Sequence, residues 1–259
     1  MLFSETFQQW RKASHHRRAN RALERQLDYQ TRKSALMRGA EEKAIKRMML
    51  ASSQVRDKLN SFKPISLDAR VAEIGSGAHG LIFFFNAKHG VGVDPLAADY
   101  ASLFPRWQRR VPTISAFGER LPFAEQTFDV VLCDNVIDHA ESPRDMVAEL
   151  ARILAPGGLL YFTVNVHHPI YALASHVHGA WNALGVQFEI GPFADHTTHL
   201  RLDDARRLFD GLPLRILEEY SNVNEAKTLA KHSKRRHLGD FAKQIFFKNA
   251  LYGVIAERS

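Results

Sequence analysis

At 259 residues the chain can hold one large α/β domain, or one domain with extra helices. Hydrophobic content of 45% and charged content of 24% are ordinary for a globular protein, and no run reaches the length of an apolar membrane-spanning helix. A single cysteine, Cys133, excludes an internal disulfide and an all-cysteine metal site, and fits a reducing compartment such as the cytoplasm.

The charge is uneven. Residues 1–63 carry 15 Lys/Arg and 6 Asp/Glu, whereas the remainder carries 20 and 22. The basic character therefore belongs to an N-terminal extension. Glu5 is the one acid in the first 23 residues, among Arg11, Lys12, Arg17, Arg18 and Arg21. Such a run suits a transit peptide, a patch for nucleic acid or an anionic membrane surface, or a solvated helix, which charge runs usually are. Residues 1–62 contain no proline and one glycine, Gly39, and read as helix. Ile45, Met48, Val55, Leu59 and Phe62 share one face, and Pro64 ends the run. This face is expected to pack against the domain that follows, residues 64–259.

From Arg70 short apolar runs alternate with helical segments. VAEIG (71–75), VGVD (91–94), TISAF (113–117), FDVVLCD (128–134) and LLYFTV (159–164) suit strands buried on both faces of a mostly parallel sheet. Helical crossovers between them predict a Rossmann-like, doubly wound α/β fold with a ligand crevice at the carboxyl ends of the strands. A different stretch, 166–200, is rich in His, Gly and aromatic residues and should hang over that crevice as an acceptor-side insertion. A helix is expected at 202–210, then strands at 214–220 and 250–257, with a basic stretch between them that includes Lys227, Lys231, Lys234, Arg235 and Arg236.

The strongest motif is AEIGSGAHG, residues 72–80. Gly75, Gly77 and Gly80 form a G-x-G-x-x-G turn at a strand end, where glycine admits positive φ and the close approach of a ligand. Alone this is weak, because nicotinamide and flavin enzymes use it for a pyrophosphate. Glu73, immediately before the turn, would repel a pyrophosphate but accept from an ammonium group. About 20 residues on, Asp94 ends the second strand, where an acid can take both ribose hydroxyls of an adenosine. GERLPF (118–123), FDVVLCDNVIDH (128–139) and the Pro156-Gly157-Gly158 turn follow.

In order and spacing these five motifs resemble the class I S-adenosylmethionine (SAM)-dependent methyltransferases, most closely the small-molecule group that includes the ubiquinone-type O-methyltransferases. The resemblance is firm over about 65–165 and topological over 200–259. It implies SAM as cofactor, with Gly75, Ser76 and Gly77 against its methionine part, Glu73 near its amino group, and Asp94, with Pro95 beside it, at the ribose. Gly118 and Glu119 would border the adenine, and Asp134 and Asn135 the methyl group. The pattern departs from the family at Phe117, where an acid commonly reads the adenine amino group. Phe117 then either offers backbone and ring contact to adenine or belongs to the core.

The resemblance also implies methyl transfer to a small-molecule acceptor. Asp134-Asn135-Val136-Ile137 is unlike the N-P-P-Y tetrapeptide and argues against adenine or glutamine nitrogen methylation, and the likeness to O-methyltransferases implies oxygen as the acceptor atom. A hydroxyl acceptor gains from a base near neutral pKa, for which His139, His167 and His168 are the candidates. A structural part for each histidine stays open, as it does for His176, His178, His196 and His199. Nothing in the spacing supports a metal site. Tyr171, Trp181, Phe188 and Phe193 suit an apolar or ring-bearing acceptor, or the core of a small lid. Competing readings are an RNA or protein methyltransferase docking through the basic extension, and a non-catalytic methyltransferase-like module.

Overall fold

The computed structural model describes residues 21–168, 200–231 and 249–259. The predicted N-terminal helix is two helices, α1 (21–37) and α2 (Glu41–Asn60). They are separated at Gly39, whose φ of +78° leaves the right-handed helical region. The helical run ends at Asn60, before Phe62 and Pro64.

Seven strands follow among the described residues: β1 (Arg70–Ile74), β2 (His89–Val93), β3 (Thr113–Ile114), β4 (Phe128–Asp134), β5 (Leu154–Val166), β6 (Leu214–Ser221) and β7 (Ala250–Arg258). They form one sheet in the order β3-β2-β1-β4-β5-β7-β6. The first five positions are parallel, while β7 runs antiparallel to both β5 and β6, so the sheet is mixed. The run 113–117 contributes only its first two residues to β3. At β5, by contrast, the strand extends to thirteen residues, because β4 pairs with it at Leu154 and β7 from Leu159 to Val166. The order steps from β1 outward to β2 on one side and to β4 on the other, placing a topological switch point at the carboxyl end of β1.

Helices α3 (Ala97–Leu103) and α4 (Pro105–Gln108) lie between β2 and β3, and α5 (Pro143–Ile153) precedes β5. Ser142 caps α5, accepting from the Asp145 amide, with Pro143 in the first turn, where its missing N–H costs nothing. Arg258 of β7 collects the carbonyls of Ala151, Arg152 and Leu154 at its other end. Two short helices, α6 (Leu202–Arg207) and α7 (Val223–Lys231), flank β6.

The core has two layers, one on each sheet face. One packs α5 residues such as Met146, Val147 and Leu150 against Ala72, Ile74, Val131 and Phe162. The other gathers Val71, Val130 and Leu132 with Phe83, Phe85, Tyr100 and Trp107, and includes Ala44, Met48 and Leu59 of α2. Between β1 and β2 the chain makes one 3₁₀ turn, Leu81–Phe84, in place of a full crossover helix. The extension supplies what that turn is too short to cover. Ser52 of α2 donates to the Leu81 carbonyl at 2.7 Å and Arg56 to those of Phe85 and Ile65, each at 2.9 Å. Thus α2 shares its hydrophobic layer with the sheet, across the expected boundary at residue 63.

Candidate functional site

The site is built where β1 turns away from the sheet. Gly75 and Gly77 have φ of +76° and +52°, the left-handed region that glycine enters without strain. The amides of Gly75 and Ser76 donate to Val93 O at 2.7 and 3.0 Å, folding the turn against the end of β2. The two glycines answer different needs. A Cβ at Gly75 would lie 2.3 Å from the Val136 methyl groups, so close packing against the β4 tip excludes one. At Gly77 the nearest atom would be 3.9 Å away, so its backbone is bare to an approaching ligand.

Asp94 closes the turn from β2. Its Oδ2 accepts from Gly77 N at 3.0 Å and its Oδ1 from Leu96 N at 2.9 Å. Each oxygen retains further acceptor capacity, which a pair of neighbouring hydroxyls can use. Desolvation pushes this carboxyl above its ordinary range, opposed by the two amides and by His139.

Glu73 points inward and is 1% exposed. Its Oε1 accepts from Leu81 N at 3.0 Å and its Oε2 from Ile82 N at 2.9 Å, holding the start of the 3₁₀ turn. Burial pushes the carboxyl up to about 8 despite these bonds, and the charges of Asp134 and Asp94 push in the same direction. Gly80 is glycine for this reason, since a Cβ there would stand 2.4 Å from Glu73 Oε2. Ser76 is buried against Gly92, and Pro95 is half-buried beside Asp94.

At the β4 tip, Asp134 Oδ1 accepts from Thr163 Oγ1 at 2.5 Å. Desolvation raises this carboxyl too, with the Thr163 bond opposing. Asn135 has φ of +56°, a conformation Asn tolerates better than most side chains. Its amide donates to Thr163 O and Oγ1 at 3.1 and 3.0 Å, and its own Oδ1 accepts from Asn165 N at 3.1 Å. Both residues are exposed. The tips of β1, β2 and β4 thus bring Gly75, Gly77, Asp94, Asp134 and Asn135 to one edge of the sheet.

Beyond β3, Phe117 is 46% exposed, so the core reading of this side chain is overturned. Gly118 packs on Met146, whose sulfur would stand 2.7 Å from an added Cβ. Glu119 turns toward the start of α5, accepting from Glu141 N at 2.7 Å and Ser142 N at 3.4 Å.

The three candidate bases have unlike surroundings. The His139 side chain is 45% exposed, with Nε2 at 3.9 Å from the buried Asp138 carboxylate, and its charge is felt at Asp94. His167 is 2% exposed, and its amide donates to Leu200 O at 2.8 Å. His168 is held below its ordinary range by burial and by Lys227 of α7. His176, His178, His196, His199, Tyr171, Trp181, Phe188 and Phe193 lie outside the described residues, as do Arg11 to Arg18 and Lys234 to Arg236. Cys133 is buried in β4. Among the described residues no group of three His, Cys, Asp or Glu side chains could hold a metal ion.

Residues absent from the motif brace the turn from behind. Trp107 Nε1 donates to Ala78 O at 2.7 Å, and Gln108 Nε2 to Gly77 O and Ala78 O at 2.9 and 3.1 Å. His79 packs against the stacked rings of Phe104 and Trp107, with centroids 5.0 and 5.4 Å away. About thirty positions separate the bracing pair from the turn, so no local pattern announces them.

Residues 72–162 match a family model described as a methyltransferase domain. An uncharacterised protein of Methanocaldococcus jannaschii is 37% identical over 89 residues, covering 34% of this chain and 41% of that one. An uncharacterised methyltransferase of Mycolicibacterium gilvum is 32% identical over 93 residues, 36% of each chain. The matched segment therefore spans well under half of these relatives. Among solved structures, the geranyl diphosphate C-methyltransferase of Streptomyces coelicolor, held with S-adenosyl-L-homocysteine, is similar in fold. The TM-score is 0.56 at 15% identity, over 85% of this chain and 84% of that one. Residues 72–162 thus carry a methyltransferase domain, and its Rossmann-like sheet order, glycine turn and strand-end carboxylates are arranged as in the class I SAM-dependent fold. S-adenosyl-L-methionine is the cofactor of that class, and the bare Gly77 backbone beside Asp94 fits it.

Proposed function

We propose that the chain transfers a methyl group from SAM to a small-molecule acceptor, with oxygen as the atom methylated. The observation that carries this is electrostatic. Burial, and then the nearby charges of Asp134 and Asp94, raise the cost of ionising Glu73, beneath a turn with an open backbone. A ligand that brings positive charge and a pair of hydroxyls relieves that crowding, and a pyrophosphate worsens it. When bound, the sulfonium cofactor supplies an already activated methyl group.

The chain's own residues then act by position. Asp94 holds two vicinal hydroxyls with the acceptor capacity left by Gly77 and Leu96. The exposed Phe117 ring offers a face to a planar base. Glu73, bound to Leu81 and Ile82, shapes the turn and contributes charge from beneath it once it ionises, above about pH 8. Asp134 and Asn135, locked by Thr163, line the edge where methyl and acceptor meet. His139 is the preferred base, because it is solvent-accessible and follows the β4 tip, whereas His167 is enclosed.

Titration calorimetry with SAM tests the reading. Two hydrogen bonds to a charged acceptor contribute roughly 3–6 kcal/mol, so Asp94→Ala should weaken binding by at least a hundredfold. No measurable SAM binding by the wild-type chain would overturn the assignment. Full affinity in Asp94→Ala would show that the ribose lies elsewhere.

A further inference from the structure

The hairpin of α1 and α2 carries a surface that methyl transfer does not use. Its connection spans residues 38–40, and residues 29–50 form the tip. Six cationic side chains fall there, Arg32, Lys33, Arg38, Lys43, Lys46 and Arg47, against two acids, Glu41 and Glu42. Both acids are engaged by Arg106 of α4, with Nη contacts at 3.6 and 2.5 Å. No ion pair among the described residues involves Lys33, Lys43, Lys46 or Arg47. Their mutual repulsion is felt inside the fold: Lys33 is lowered by burial and by Arg47, and His79 is pushed down to about 4 by burial, then Lys33 and Arg47.

The same tip exposes apolar groups. Nine large hydrophobic side chains are exposed among the described residues, and four of them fall within residues 29–50: Tyr29, Leu36, Met49 and Leu50. Leu36 is 85% exposed and Leu50 60%. Single exposed hydrophobics need no explanation, but four within one short basic stretch do, one of them, Tyr29, with Lys33 over its ring at 5.9 Å. An open groove lined by Glu42, Lys43, Lys46, Arg47 and Leu50 puts both kinds of side chain on one helix face.

We propose that the α1–α2 tip is a docking surface for an anionic phospholipid bilayer. Such a surface is matched on both counts: headgroup phosphates take the lysines and arginines, and the acyl boundary takes the leucines, Met49 and Tyr29. A nucleic acid would use the cations and leave Leu36 and Leu50 in water. The inference stands apart from methyl transfer, since vesicle binding and SAM binding are read separately.

The test is sedimentation of the 259-residue chain with vesicles of phosphatidylcholine alone and of an equal mixture with phosphatidylglycerol. Binding is expected to the mixture, and far more weakly to pure phosphatidylcholine. Each basic residue near an anionic surface is worth about fivefold in partitioning, so K43Q/K46Q/R47Q should lose roughly a hundredfold. L36S/L50S should also weaken binding severalfold, with helical circular dichroism unchanged because both positions face solvent. The proposal is overturned if the mixed vesicles fail to bind the chain, or if both variants bind as wild type does. It is equally overturned if single-stranded RNA competes the chain off the vesicles while L36S/L50S leaves binding intact.

Discussion

Replacing Glu73 by Gln probes the buried charge directly. The side chain is 1% exposed, with a folded pKa of about 8 against an ordinary 4.5. The native state therefore binds the proton more tightly than the unfolded chain does, so stability falls as pH rises through 4.5 and levels off above about 8. Linkage over these values makes the loss about 3–4 kcal/mol between pH 5 and pH 8. Glu73→Gln removes the titration but sets an amide NH₂ against the Leu81 or Ile82 N–H, costing about 1–3 kcal/mol at every pH. The variant should thus be less stable than wild type at pH 5 and equal to it or more stable at pH 8. Urea unfolding of both proteins across this range reads the difference, in which titrating groups not coupled to Glu73 cancel. A difference that stays flat with pH would refute the buried, uncompensated carboxyl and the electrostatic argument built on it.

The same group should link pH to cofactor affinity. Binding of SAM, whose sulfonium is a fixed positive charge, should tighten from pH 6 to pH 8.5 more than binding of S-adenosylhomocysteine, and calorimetry with the pair isolates the difference. At Gly75, alanine meets both a φ of +76° and the Val136 methyl groups 2.3 Å from its Cβ. The loss should be about 2–5 kcal/mol of stability, partly recovered by adding Val136→Ala, which relieves the contact but not the backbone strain; thermal melts of the single and double variants check this. Phe117→Ala should weaken SAM binding by about three- to tenfold if the exposed ring stacks on adenine, a contact worth roughly 1 kcal/mol, and leave the melting temperature unchanged. A core residue would do the reverse.

Much of this protein was legible in the sequence because the requirements are local. A glycine turn after an apolar run needs backbone freedom at Gly75 and Gly77, and the observed angles are those the motif demands. The run at 128–134 coincides with β4, since Val130 to Cys133 are buried on both faces and the exposed Asp134 marks where the strand leaves the core. Asp94 stands beside the turn because the rise of β2 carries it there.

Other features depend on contacts between distant positions, which no local pattern encodes. Gly39 was visible as a lone glycine, but only packing decided that the helical run divides there and that α2 covers the β1–β2 turn through Ser52 and Arg56. Glu73 reads as an acid beside a ligand turn; the fold directs it inward onto the Leu81 and Ile82 amides, where desolvation rather than exposure sets its chemistry. Phe117 could be core or surface until neighbouring elements left it uncovered. Trp107 and Gln108 support the turn across some thirty residues of chain. The sequence by itself determined the backbone freedom of the turn and the strand ends that carry its acids. Burial, which depends on what the rest of the chain brings alongside, was decided by the tertiary structure alone.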